Sequence, residues 1–105
     1  MRLLGIAALL LSSAVGSALC QEVGDPVRGA DYAALNCAEC HAVEADDMDS
    51  PDPEAPPFQA IAGNPEMSEL ALVVFFQTPH PSMPDLIVPA SDAHDLIAYI
   101  RSLSR

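Results

Sequence analysis

Cys37-Ala38-Glu39-Cys40-His41 decides how the rest of the chain reads. Its two thiols stand three residues apart, about one helical turn, so both sulfurs reach the same side of whatever they attach to. An imidazole follows at once. This is CxxCH, the pattern for covalent attachment of a c-type haem. Each thiol can add to one vinyl group of the porphyrin, and His41 can swing a ring nitrogen under the iron as the proximal ligand. Other uses of a Cys-x-x-Cys pair fit less well. A structural zinc takes four nitrogen or sulfur ligands, and outside this motif the chain holds only Cys20, His80 and His94. A thioredoxin-like pair needs a βαβ setting that the surrounding pattern lacks. A disulfide across so short a loop would stabilise little.

A length of 105 residues sets one domain as the expectation. Met1-Arg2 is a minimal positive start, Leu3 to Leu11 is apolar, and small residues run from Ser12 to Ala18. This reads as a secretory signal peptide over residues 1–20, cleaved before Gln21, with Gly16-Ser17-Ala18 as a second cleavage option. The apolar stretch is short and broken by serine, which argues against an uncleaved membrane anchor. The domain is then 21–105, and its expected location is the periplasm. The fate of Cys20 follows the cleavage site. Such a chain is small for a self-sufficient apolar core, and a buried haem would supply the missing bulk.

The net charge is −11. Without Arg2, three arginines face fifteen acids and no lysine, giving −12 for the exported part. Nucleic acid and anionic membrane surfaces are therefore excluded as partners. Whatever docks on this chain is expected to present basic residues. Solubility is the competing role for the charge.

Asp25-Pro26 reads as N-cap and first position of a helix that continues to about Asn36. Gly29 inside it costs roughly 1 kcal/mol against alanine, which suggests another backbone passing close by. After His41, six acids fall between Glu44 and Glu54, interleaved with prolines that forbid regular helix. No glycine occurs there to turn a calcium loop, so a solvated loop is expected. Its far end, Ala55-Pro56-Pro57-Phe58, turns apolar and suits packing on a porphyrin edge. A carbonyl here, assigned to Pro56, could accept the other ring N–H of His41 and fix its tautomer.

Asn64-Pro65 reads as the start of a further helix running through Leu70 to Phe76 and ended by Pro79. Those apolar residues are too few to span a bilayer, and a strand over Val73 to Phe76 is the competing reading. Thr78 to Pro84 is a proline-stiffened loop holding Met83, whose soft sulfur suits a sixth iron ligand. His80 is the alternative ligand. Met48 in the acidic loop and Met67 in a helical first turn are the other thioethers, with core filling the ordinary role. Pro89-Ala90-Ser91 is expected to cap the last helix, with Asp92 and Asp95 in its first turn and Arg101 and Arg105 at its far end. Leu96, Ile97, Ile100 and Leu103 form its apolar face, Tyr99 lies beside it, and His94 reads as a surface residue.

These blocks resemble the small class I cytochromes c of bacteria, over roughly Gly24 to Leu103. The resemblance rests on Asn36 to Ala42, Ala55 to Phe58, His80 to Pro84 and Asp95 to Ile100. It implies an all-α fold of three to four helices around one covalently attached haem, with first and last helices crossing near right angles. Gly29 matches the glycine at that crossing and Tyr99 the aromatic packed there. The family usually has an aromatic four residues before its first Cys, where this chain has Ala33, with Tyr32 one position earlier.

The expected function is a periplasmic one-electron carrier and not an enzyme. Haem c is held through Cys37 and Cys40, with iron between His41 and Met83. The free protein is expected to be a monomer without a membrane span, exchanging electrons with basic-surfaced redox partners. The alternatives are a haem subunit of a larger periplasmic dehydrogenase and a ligand-binding or sensory haem protein.

Overall fold

A computed structural model describes residues 24–79, 81–83 and 87–104. The signal segment, His80 and Pro84 lie outside them. Among the described residues there are four helices and no strand: α1 (Pro26–Asn36), α2 (Phe58–Gly63), α3 (Glu69–Gln77) and α4 (Ala90–Ser102). None of them is long and apolar enough to cross a membrane.

The first helix begins where the cap chemistry directs. The Asp25 carboxylate accepts from the Val27 N–H at 2.9 Å, and Pro26 occupies the first position, where no donor is needed. At the far end the Cys37 N–H still donates to the Ala33 carbonyl at 2.9 Å. The haem motif is thus a direct continuation of α1.

The last helix is the hub, since α1, α2 and α3 all pack on it. Its inward face, Leu96, Ile97 and Ile100, is at most 2% exposed. With Ala33, Cys37, Phe58 and Leu72 it makes the core. Gly29 lets α1 come close. A Cβ there would fall inside the Asp95 carbonyl oxygen and 2.8 Å from the Tyr99 Cβ. Gly24 adopts φ +109°, a region open to glycine, and lies against the His94 carbonyl.

Asn64-Pro65 does not open α3. The Asn64 carbonyl accepts from the Met67 N–H at 3.0 Å and its side chain from the Glu66 N–H at 3.0 Å, which makes a turn. The helix starts four residues later, with Ser68 accepting from the Ala71 N–H at 3.1 Å and Glu69 in the first turn. Asparagine serves turns and caps alike, and here the turn wins because a better-placed serine follows. Met67 therefore precedes the helix instead of lying in its first turn. Val73 to Phe76 are helical, not extended.

Two expectations for α4 also change. Ser91 is already inside the helix, whose N-cap is Pro89 with no side-chain bond. Asp92 is in the first turn, but Asp95 is not: it is buried, and its carboxylate accepts from the Asp25 N–H at 2.7 Å and Arg28 Nε at 3.0 Å. The short helix α2 was not expected. It forms because Pro57, in extended backbone, carries a carbonyl that accepts from the N–H groups of Ala60 and Ile61.

Candidate functional site

The end of α1 turns once more through the motif. The N–H groups of Cys40 and His41 both donate to the Cys37 carbonyl, at 3.2 and 2.9 Å. The two thiols meet different surroundings. Cys37 is 6% exposed, and burial pushes its thiol up to about 11, whereas Cys40 is exposed. Neither is in a disulfide.

The segment after His41 is pinned from several sides. The Ala42 N–H donates to Ser50 Oγ at 3.0 Å, the Phe58 N–H to the Ala42 carbonyl at 2.8 Å, and the Asp52 N–H to the Cys40 carbonyl at 3.0 Å. Side chains from elsewhere hold the loop down. Tyr99 Oη donates to the Val43 carbonyl at 2.6 Å. Gln59 does two jobs: its Oε1 accepts from the Asp46 N–H at 3.0 Å and its Nε2 donates to the Leu103 carbonyl at 2.8 Å. Asp46 sits at φ +62°, a left-handed conformation that aspartate tolerates. The acids from Glu44 to Asp49 do face solvent, but on a backbone with fixed partners.

His41 is half-buried, with Nδ1 2.7 Å from the Pro56 carbonyl oxygen. A carbonyl can only accept, so Nδ1 carries the proton and Nε2 keeps its lone pair. The imidazole also lies 5.4 Å from the Phe58 ring, centroid to centroid. Protein contacts thereby set the ring's position and tautomer.

One cleft of about 660 Å³ collects the sequence-derived candidates. Cys37, Cys40, His41 and Pro56 line one part of it. Leu72, Phe75, Phe76 and Met67 line another, and Met83 closes the set. Met48 is 57% exposed and does not line the cleft. His80 is outside the described residues. Sequence reasoning missed Ser50, Gln59 and Asp95, whose roles come from distant partners. Only Asp95 left a trace, as an acid on the apolar side of a helix.

Among the described residues, no three His, Cys, Asp or Glu side chains gather to hold a bare metal ion. One oriented imidazole with the thioethers of Met67 and Met83 fits instead a metal that brings its other ligands with it. Two thiols beside the imidazole fit covalent attachment of that carrier, and the apolar walls fit a flat aromatic ring. The residues present therefore suit an iron porphyrin.

The family model described as cytochrome c matches residues 26–104. A relative, cytochrome c-552 of Bradyrhizobium diazoefficiens, is 37% identical over 95 residues, which cover 90% of this chain and 88% of that protein. No solved structure gave a significant match. On that match and this cleft, the chain belongs to the cytochrome c family: it is an electron carrier with covalently bound haem c and its iron.

Proposed function

We propose that this chain is a periplasmic one-electron carrier, exported by residues 1–20, with haem attached through Cys37 and Cys40 and iron held by His41 and Met83. The observation that carries this reading is the single cleft in which both thiols, a tautomer-fixed imidazole and a thioether meet. When bound, the haem supplies reversible ferric–ferrous chemistry. The chain's own residues bind, orient and shield. The Pro56 carbonyl holds the His41 ring, Met83 supplies a soft ligand that favours a higher potential than a second histidine would, and Phe58, Leu72 and Phe76 keep water away. With both axial positions filled, no substrate site is needed, and the protein is a carrier and not an enzyme.

The acids of residues 44–54 give a partner with a basic surface something to dock on. Glu39, Asp52 and Glu54 line the same cleft as Cys40, so that charge reaches the redox centre's rim.

The deciding experiment compares visible spectra of wild type and Met83→Ala, matured with haem and purified from the periplasm. Loss of the ferric sulfur-to-iron band supports Met83. An unchanged band transfers the role to Met67, the other methionine in the cleft. A product starting at Gln21 and heavier by one haem is the expected mass, and a colourless product of polypeptide mass alone would sink the reading.

A further inference from the structure

We infer that Asp52 and Glu54 set the carrier's reduction potential: their carboxylates, fixed in the redox cleft with no cation in its lining, favour the oxidised state. This rests on the carrier reading above.

Cations are scarce in this chain. It has no lysine, and beyond Arg2 its arginines are Arg28, Arg101 and Arg105. Arg28 is engaged at the crossing of α1 and α4, where it pairs with Asp25 and Asp95. Arg101 is exposed in the last turn of α4, and Arg105 lies outside the described residues. Among the described residues, no arginine lines the redox cleft, whereas Glu39, Asp52 and Glu54 do. None of these three carboxylates joins an ion pair among the described residues.

Two of the three are placed by the haem motif itself. The Asp52 N–H donates to the carbonyl of Cys40, the residue before His41, at 3.0 Å, and the Pro56 carbonyl meets His41 Nδ1 at 2.7 Å. Residues 52–56 are thus tied to the motif at both ends. Between those ties the Asp52 carbonyl accepts from the Ala55 N–H at 3.0 Å and its carboxylate from the Glu54 N–H at 2.9 Å, which makes a tight turn. The acids from Glu44 to Asp49 do not line the cleft. An acid anywhere on the surface serves solubility, but a charge anchored beside the iron's histidine acts on the iron.

Reduction adds one electron and neither forms nor breaks a bond, so the charge of the site falls by one. Carboxylates in the cleft oppose that change, and the two propionates of a haem add to the opposition. Asp52 is half-buried and Glu54 exposed, so the effect is moderate and sensitive to salt. The pair offsets part of the rise in potential that a thioether ligand brings, and it thereby decides which donors can reduce the carrier.

The test measures the reduction potential of the holoprotein by spectroelectrochemistry, with small neutral mediators and no protein partner. The double variant Asp52→Asn, Glu54→Gln keeps an oxygen at position 52 to accept the same N–H. In 10 mM salt it is expected to shift the equilibrium about threefold toward the reduced state, which at about 59 mV per tenfold is about 28 mV. Asp52→Lys should move it the same way and further than Asp52→Asn alone. Asp31→Asn removes the same charge from an exposed position of α1 outside the cleft, and is expected to change the equilibrium by less than about 1.5-fold. The gap between wild type and the double variant should shrink as salt rises to 500 mM, with the ferric spectrum unchanged. A double variant that matches wild type or Asp31→Asn, or a gap that salt leaves constant, would overturn the assignment. So would a shift that comes with an altered ferric spectrum, since that marks a lost ligand and not a lost charge. The carrier reading survives each of these results, because it depends on haem attachment and fails only with a colourless product.

Discussion

Asp95 is the one buried acid among the described residues, and it shows how much a single side chain can organise. The Asp25 N–H and the Arg28 guanidinium, against the opposing effect of burial, hold its carboxyl below the ordinary carboxylate range. A depressed pKa means that the folded state binds its proton less readily than the unfolded chain. Stability from this group is therefore fully present above the unfolded value of about 4 and is lost as pH falls through the lower native value. Asp95→Asn is expected to lower the melting temperature at pH 7 but to narrow the gap from wild type at pH 2 to 3, as followed by circular dichroism. A gap that stayed constant across pH would refute the ionic account. Tyr99 makes a plainer case. Tyr99→Phe removes its bond to the Val43 carbonyl and should cost about 1 kcal/mol in urea unfolding. The CxxCH residues were legible because that pattern is local. Asp95 was misplaced because its partners lie 67 to 70 positions away, and spacing along one helix cannot report them.

At the scale of elements, α1 was readable from its cap and α4 from its apolar face, while α2 and the start of α3 were not. A proline after an asparagine signals the beginning of something, and only the later Ser68 decides what. The six-residue α2 is too short to show a periodic apolar face, so nothing in its composition announced it. The contact of α1 with α4 is the most fragile element-level feature. Gly29→Ala gains up to about 1 kcal/mol of helix propensity, but its methyl meets backbone that cannot yield. The net cost is expected to be roughly 3 kcal/mol or more in denaturant unfolding of the holoprotein. A neutral result would mean that the helices separate freely. Gln59 links the acidic loop to the end of α4. Gln59→Ala should speed hydrogen exchange at the Asp46 amide without altering the haem spectrum.

The whole molecule is divided by charge. Most of its acids precede residue 70, and a nearly uncharged stretch follows. The redox cleft touches both regions, with Glu39, Asp52 and Glu54 in its lining as well as Phe75 and Met83. Oxidation of the reduced protein by a cationic metal complex should slow as salt is added, while oxidation by an anionic complex should accelerate. Stopped-flow rates from 10 to 500 mM salt would show the two trends, and parallel trends would mean that charge does not govern approach. The helix that leads into the first thiol finds its packing partner near the other end of the polypeptide, and in the finished fold that thiol is largely covered, at the wall of the cleft. If haem joins Cys37, attachment is expected to be easiest before the last helix docks, while that thiol is still uncovered. A chain truncated before Ala90 is expected to be stitched to its pigment but to leave the motif open to protease, and resistance equal to the full-length protein would contradict that order of assembly.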